Sequence, residues 1–565
     1  MKNIKNIKNK NNICLILAIT LITVMLGIFQ YMTGITLNPL YNEGYAALSM
    51  YIFAIGAAIL VYFSVADFKG AVQSKVTNIK IVKDKKDEYK YIITIILMAS
   101  PIIISIIFGF ITSPLFMCNK YKNQIGKIEE KDFKTEFENL DLNKVPVVDQ
   151  LLAEKLADKK LGEKQSLGSQ VITGEPVIQI YNEKLVWVVP LEHSGFFKWL
   201  DNIDGTPGYI IVSATDQRDV EFVGNHKIKY QPNSYFNTDI RRKARYSKSY
   251  MQGMVDYSFE LNEEGVPFWV ITTYKNTKFL GLPEVSGIIA LNATTGDMKE
   301  YKLKDIPAWV DRAQPEEYII AQLQNSGEYV KGVFNFSNYG KYRVSQKGNI
   351  IYNGNTCYLF TGLTSIGSDE SITGFVSVDM KTKKVSRYNV GGATEYAASM
   401  SAEGKVQNLG YKSSSPVIVN VDTVPTYFMT LKDKEGLIKQ YAFVSVKDYT
   451  TVVAADTVEL ALKAYKKSIG ETGQVADENK TETLTAITLK VKRIASERVK
   501  DELVYKIMLE DSAVTAEDMK DKIYIAKAAL SEELALTNVG DMVEIKVYKT
   551  NTKISMVEEI DNKEI

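Results

Sequence analysis

Two histidines and three cysteines are the entire supply of near-neutral and soft side chains in this chain of 565 residues, so any chemistry must start from them or from carboxylates. His193 lies in Pro190-Leu-Glu-His-Ser-Gly195, an order of types that suggests a Glu–His–Ser relay for nucleophilic attack. Adjacent residues at a strand end point in different directions, however, and no third group is spaced to orient the imidazole. We therefore expect a loop histidine rather than a catalytic one. Asn225-His226-Lys227 reads as a turn, and Asn202-Ile-Asp-Gly205 opens like a calcium loop but lacks the alternating acids and the closing glutamate. Cys14, Cys118 and Cys357 have no metal-site spacing. Free thiols are the expectation, a Cys118–Cys357 bond being the alternative outside the cell. The chain contains no Gly-rich phosphate loop, no HExxH and no GxSxG. No catalytic, cofactor-binding or metal-ligating residue is thus expected, and no cofactor. Arg241-Arg-Lys-Ala-Arg245 is the one dense basic cluster outside the membrane region. It is expected to be a solvated loop or helix end, with anionic headgroups or wall polymers as the sharper alternative.

The elements that would hold such residues begin with three apolar runs: Ile13–Ile35, Tyr45–Ala66 and Tyr91–Met117. Each can cross about 30 Å of hydrocarbon as a helix, and none carries a charge within those bounds. That argues against an ion or proton pathway. Lys2, Lys5, Lys8 and Lys10 precede the first run without an acid, the loop before the second has no Lys or Arg, and Asp67–Lys90 is rich in lysine. The positive-inside rule then places the N-terminus in the cytoplasm and everything after Cys118 outside. Lys120, Lys122 and Lys127 run against this, but they are interleaved with acids, and large domains translocate largely regardless of charge. The first run is long and lacks a small-x-small cleavage site, so it is read as a retained span. Pro101 should kink the third, with its freed carbonyl satisfied by a neighbouring helix. Small residues on the second (Ala46, Ala47, Ala54, Gly56, Ala57, Ala58) permit close helix packing.

Beyond the spans a pattern recurs. Strands led by apolar or aromatic residues (Leu185–Leu191, Val266–Tyr274, Thr356–Leu363, Val424–Leu431) are each followed by a hairpin: Pro207–Val223, Ser286–Leu303, Thr373–Val390 and Gln440–Asp456. Gly, Asn or Asp at the turns between period-2 runs is hairpin chemistry. Helical segments fall between them: Val145–Leu161, Pro315–Gln324 and Thr457–Ser468. The expected fold is a membrane anchor of three TM helices, an α+β soluble region of repeated helix/antiparallel-sheet modules, and a C-terminal all-β small barrel. The boundaries read 1–117 anchor, 118–145 linker, 146–312 and 313–470 α+β modules, 471–481 linker, and 482–565 barrel.

The hairpin Ile289-Ala-Leu-Asn-Ala-Thr-Thr-Gly-Asp-Met298, and more loosely Val376-Ser-Val-Asp-Met-Lys-Thr-Lys-Lys-Val385, resembles the closing element of PepSY-type extracytoplasmic modules. That resemblance implies an α+β unit on a bacterial envelope protein that inhibits or regulates partners. It brings no catalytic residues with it.

The last segment has about five strands, with a Gly-Asp-x-Val-x-Ile entry at Gly540, and resembles an OB-like barrel. It lacks clustered aromatics for base stacking, and the whole chain has 68 basic against 67 acidic residues, so nucleic acid is not an expected partner. The expected function is that of a non-enzymatic, membrane-anchored extracytoplasmic scaffold, or a protein-binding or regulatory component, of a bacterial cell envelope. Its expected partners are the lipid bilayer and an envelope protein, in a homo- or hetero-oligomer. The alternatives are an envelope enzyme with a site scattered in sequence, and a subunit of a larger membrane complex. A deep acidic cleft would favour the enzyme, and a smooth elongated shape the scaffold.

Overall fold

The structure is a computed structural model that describes residues 2–77, 85–164, 167–247, 249–345, 348–471, 484–499, 502–510, 522–548 and 554–565. The chain forms two compact units, residues 1–475 and 476–565.

The apolar runs are the helices α1 (Lys2–Thr33), α2 (Asn42–Thr77) and α3 (Lys85–Ile111). Within them Ile13–Thr33, Asn42–Phe68 and Glu88–Ile111 are long and apolar enough to cross a membrane. The third span stops at Ile111 instead of running to Met117. Pro114 has no N–H to continue the ladder and opens α4 (Pro114–Asn123) instead. Pro101 stays inside α3. The Leu97 carbonyl that it leaves free accepts from Ser100 Oγ of the same helix at 2.7 Å, not from a neighbouring one. Tyr45 of α2 donates to the Pro101 carbonyl itself. The second span reaches past Ala66 and so includes Asp67, whose carboxylate pairs with Lys90 at 2.9 Å. Gly56 is where α2 and α3 come closest, since a Cβ there would lie 2.4 Å from Met98 Cγ.

The segment 118–145, read from sequence as a connector, holds most of α4, then β1 (Ile128–Lys131) and α5 (Phe133–Glu136). After it come α6 (Gln150–Gly162) and four antiparallel sheets. Sheet I contains β2 (Val171–Thr173), β3 (Val177–Tyr181), β4 (Lys184–His193), β5 (Tyr209–Ser213) and β6 (Val220–Val223), with α7 (Phe196–Asp201) between β4 and β5. α8 (Ile240–Ser247) leads to sheet II: β7 (Gly253–Leu261), β8 (Pro267–Lys278), β9 (Gly281–Asn292) and β10 (Met298–Lys302). α9 (Glu316–Glu328) leads to sheet III: β11 (Tyr342–Val344), β12 (Asn349–Asn353), β13 (Thr356–Ser365), β14 (Ser368–Asp379), β15 (Val385–Tyr388) and β16 (Gly392–Ala393). β1 joins sheet III at its edge, parallel to β15. α10 (Glu395–Lys405) leads to sheet IV: β17 (Lys412–Ser413), β18 (Val417–Val421), β19 (Val424–Lys432), β20 (Ile438–Ser445) and β21 (Val452–Ala455). α11 (Val458–Glu471) follows.

The sheets close a ring, through shared cores at three junctions and an ion pair at the fourth. Val188 and Tyr209 of sheet I pack with Phe259 and Trp269 of sheet II. Phe360 and Phe375 of sheet III pack with Tyr427 and Ala442 of sheet IV. Val189 and Ile210 pack with Phe428 and Phe443 beneath α6 and α11, joining IV back to I. Between II and III, Lys383 Nζ donates to Glu284 at 2.7 Å.

One device recurs in all four sheets. The carbonyl just past the third long strand accepts from the segment that leads into that sheet. Ala214 accepts from Val147 and Val148 (2.8 and 3.0 Å), and Ala293 from Lys229 and Tyr230 (both 2.9 Å). Met380 accepts from Ala313 and Gln314 (both 2.9 Å), and Val446 from Ala393 (2.7 Å). These bonds satisfy backbone groups that the packing shields from water.

The second unit is a closed barrel of β22 (Leu484–Val499), β23 (Glu502–Leu509), β24 (Ile523–Lys527), β25 (Met542–Tyr548) and β26 (Ile554–Asn562), filled by Val491, Ile507, Val543 and Ile545. Except for Glu471, the expected linker 471–481 lies outside the described residues.

Candidate functional site

The strands β4, β8, β13 and β19 are those expected from the sequence, but the strand before each escapes that reading. These earlier strands, β3, β7, β12 and β18, line a single cleft of about 1110 Å³. Their signal is short: the two-residue turns Asn182-Glu183 and Asp422-Thr423, with both residues at positive φ, and Asn353-Gly354-Asn355.

In every sheet this first strand is interrupted, and the interruption opens onto the cleft. Glu175 and Pro176 separate β2 from β3, Gly348 lies between β11 and β12, and Ser414 and Ser415 lie between β17 and β18. In sheet II the break is a bulge at Asp256, which sits at φ 55° where the pairing with β8 shifts register. A ladder broken at these points leaves side chains and backbone free to face a ligand.

Polar bonds fix the lining. Gln179 of β3 exchanges two bonds with the Leu261 backbone of sheet II (2.8 and 3.2 Å). Tyr352 OH of β12 donates to the Ile178 carbonyl at 3.0 Å and to Asp311 at 2.9 Å. Asn349 donates to the Pro416 carbonyl at 2.7 Å. Trp187 Nε1 donates to the Val148 carbonyl at 2.8 Å.

The wall is acidic. Glu138, Asp141, Asp149, Glu175, Glu183, Asp256, Glu316 and Glu317 line it against Lys144, Lys184 and Arg312. Burial in the cleft raises the pKa of Asp256; the Arg312 charge pulls it down, and Glu175 and Glu317 push it up. Asp256 nonetheless keeps a face to the cleft solvent.

Behind the wall lies a buried charged cluster. Glu260, 1% exposed, accepts from the Asp311 backbone at 3.1 Å, and its second oxygen has no partner of good geometry although the Ser258 hydroxyl lies beside it. Burial first, and the Asp311 charge second, push Glu260 up to about 8, so it holds a proton at neutral pH. Arg312 bridges cluster and cleft, reaching Glu316 Oε1 at 3.4 Å. Burial opposes its charge, but the ionisable groups around it, Cys357 and Tyr352 before Glu260 and Asp256, push its pKa up.

His193 ends β4, opposite Val171 of β2, with its Nδ1 unpartnered and its pKa lowered to about 4 by burial. Ser194 beside it is exposed, and no relay is assembled. Glu192 is pushed up to about 7 by burial and by the charge of Glu175. His226 lies in a bend after β6 and Asn202–Gly205 in the turn after α7. Among the described residues no group of three His, Cys, Asp or Glu side chains is placed to hold a metal ion. The three cysteines are free.

The basic cluster is only partly solvated, Arg241 being exposed. It forms α8, where Arg242 and Arg245 are buried and grip the end of the first span. Arg242 Nη1 donates to the Met32 carbonyl at 2.7 Å, and Arg245 Nε donates to that of Gly34 at 3.0 Å. The last carbonyls of α1 have no helical donors of their own, and α1 has no basic residue in its last turn, so these guanidiniums take both roles.

No family model matches this chain, and no curated protein matches it. Among solved structures it is similar to B. megaterium levansucrase, with 10% identity over 77% of this chain and 96% of that one, at a TM-score of 0.17. A GH32 β-fructofuranosidase of Bombyx mori gives 9% identity over 73% and 70%, also at 0.17. At such scores neither likeness bears on fold or function.

Proposed function

We propose that this is a membrane-anchored binding or regulatory protein of a bacterial envelope, with its N-terminus cytoplasmic and its four-sheet body outside. In this reading the acidic cleft takes a cationic segment of a partner protein. The observation that carries it is the cleft's charge, eight carboxylates to three cations on a wall fixed by cross-sheet hydrogen bonds. A lysine- or arginine-bearing peptide would pair with Glu175, Asp256 and Glu317 while its backbone meets the broken strands.

We read the four sheets as copies of one module of lead, helix and meander. The four carbonyl locks support this, as do Gly208, Gly287 and Gly374, where a Cβ would lie 2.0, 2.1 and 2.6 Å from the carbonyl oxygens of Val223, Tyr301 and Tyr388 on the neighbouring strand. Sheet IV has Gln440 at that place. The PepSY resemblance and the OB-like reading of the barrel belong to the same proposal.

The test is titration of the full chain with oligolysine, oligoglutamate and neutral peptides, followed by Trp187 fluorescence. We expect binding by oligolysine alone, weakening with salt, and about tenfold weaker in Asp256→Asn and in Glu175→Gln, roughly 1.4 kcal/mol each. Equal binding of all three peptides, or of none, sinks the proposal. A second reading is favoured by one observation: Asp256 is a carboxyl of raised pKa beside two others in a deep acidic cleft, the feature that favours an envelope enzyme. Polymer hydrolysis by the intact chain that disappears in Asp256→Asn would select it.

A further inference from the structure

The unabsorbed feature of this fold is a set of bare aromatic side chains on two separate loops that meet the membrane spans. The first includes Phe197 of α7, 78% exposed, and Phe236. Their position relative to the bilayer follows from one guanidinium. Arg242 donates through Nε to the Phe236 carbonyl at 2.6 Å and through Nη1 to that of Met32, in the last turn of the first span. Phe236 therefore lies level with the end of that span. The rings of Trp199 and Phe196 carry the cluster onward from Phe236 to Phe197, with centroids 5.7 Å or 5.8 Å apart at each step.

The second loop follows α9. Phe334, Phe336 and Tyr339 are 73%, 84% and 67% exposed. It too is tied to a span end. Tyr121 OH donates to the Thr112 carbonyl at 3.2 Å, one residue past the third span, and the Tyr121 ring packs edge-on against Tyr329 at 5.7 Å. Next to it Lys122 Nζ donates to the Val330 carbonyl at 2.7 Å. Lys331 sits 3.8 Å over the Tyr339 ring.

A bare phenylalanine gains nothing from water, and isolated ones are common on protein surfaces. Here the bare rings are grouped, are continuous with the spans, and on the second loop carry a lysine whose ammonium can remain among headgroups while the rings go deeper. That combination is what the membrane interface selects. We propose that these two loops insert their rings into the headgroup–acyl boundary of the bilayer that the spans cross. The body is then seated on the membrane at two points besides its three helices. The occupant is the lipid surface itself, since the first loop is tied through Arg242 to the end of the first span, and the second through Tyr121 to the residue after the third.

The experiment uses the full chain in phosphatidylcholine/phosphatidylglycerol vesicles, on a Cys14→Ala/Cys118→Ala background, Cys357 being buried. Nitroxide labels go on Phe197→Cys and Phe336→Cys, with Tyr396→Cys on α10, 69% exposed and untied to any span, as reference. Collision rates with oxygen, which concentrates in lipid, and with a water-soluble nickel chelate report depth. We expect the labels at 197 and 336 to favour oxygen over nickel by at least about fivefold relative to the reference. Nickel access at either site equal to that at 396 overturns the proposal for that loop. Should the cysteine background fail to fold, Phe336→Trp in the otherwise native chain provides the second test. Brominated lipid then quenches the added fluorescence if the loop is inserted and leaves it unchanged if it is not.

Discussion

Arg245 shows how much a single side chain can decide here. It is 2% exposed, and its donors satisfy the carbonyls of Gly34, Ser249 and Gln252. Burial lowers its pKa, yet a guanidinium stays charged through any accessible pH. Replacement with methionine removes the Arg245 donors from the Gly34 and Gln252 carbonyls, that of Ser249 keeping the Gln252 N–H, and should destabilise the body by ~2 kcal/mol or more. Arg245→Lys should recover only part of this, because an ammonium cannot match the planar fork. Thermal unfolding of the reconstituted chain would report both, and unchanged melting in Arg245→Met would refute the role. Glu260 gives a second prediction at this scale, with a definite sign. Its pKa is raised in the folded state, to about 8 from an ordinary value of 4.5. The folded protein thus binds the proton more tightly than the unfolded chain. Stability from this group is complete below about pH 4.5 and is lost as pH rises to about 8. Glu192, raised to about 7, acts in the same direction, while His193, lowered to about 4, loses stability as pH falls below 6.5. Glu260→Gln, which keeps an oxygen for the Asp311 N–H, should flatten the fall between pH 5 and 8. The difference at pH 8 should be a few kcal/mol at most, since each tenfold change in proton affinity is worth about 1.4 kcal/mol. Urea titrations across that range would check it, and a slope the same in the variant would count against the buried, protonated carboxyl.

At the scale of elements, a tight approach recurs at a glycine of the third long strand or just before it. A Cβ at Gly287 would lie 2.1 Å from the Tyr301 carbonyl oxygen, a backbone atom that cannot step aside without breaking the pairing with β10. Gly287→Ala should therefore lower the melting temperature by at least about 5 °C. Gly404→Ala, with open space around it, serves as the comparison and should not destabilise. Equal melting of the two variants would show that β10 shifts freely. These glycines were visible in the sequence as hairpin leads, and so were β4, β8, β13 and β19 with their following pairs, because alternating runs and turn residues are local signals. The barrel strands were equally legible for the same reason. The cleft was not. Its first strands are short and interrupted, and their role depends on four sheets meeting, a non-local fact that no run of residues encodes. The burial of Arg242 and Arg245 within the basic cluster was hidden for a related reason. Arg-Arg-Lys-Ala-Arg looks like a solvated face until a buried helix end with unpaired carbonyls is brought against it. The stop at Pro114, by contrast, could have been read directly from the rule that helices end before proline.

At the scale of the molecule, the end of the first span, the start of the second and the end of the third all touch the four-sheet body. Gly34 bonds to Arg245, Tyr45 packs against Phe279 of β8–β9, and Phe108 packs on that same ring at 5.0 Å. In the proposed topology all three helices cross the membrane and meet the body at these ends, so the body lies on a single side and the N-terminus on the other. Which side is which depends on charge alone: the lysines before Ile13 and those between the second and third spans favour the cytoplasm for the ends away from the body. Protease added to intact, wall-stripped cells should consequently cut the body or the stretch leading to the barrel, while an epitope placed before Ile13 stays protected until lysis. Cleavage at the barrel junction should release residues 476–565 as a folded piece, since that unit has its own closed core. Protection of the body with digestion of the N-terminal epitope would invert the topology. The acidic cleft would then face cytoplasmic partners, and the aromatic loops would rest on the inner leaflet, whose anionic lipids would hold Lys331 more strongly. The ring of sheets, the grip of α8 on the first span and the cleft geometry would be the same in either case; the side of the membrane decides only which cationic partner can reach the cleft.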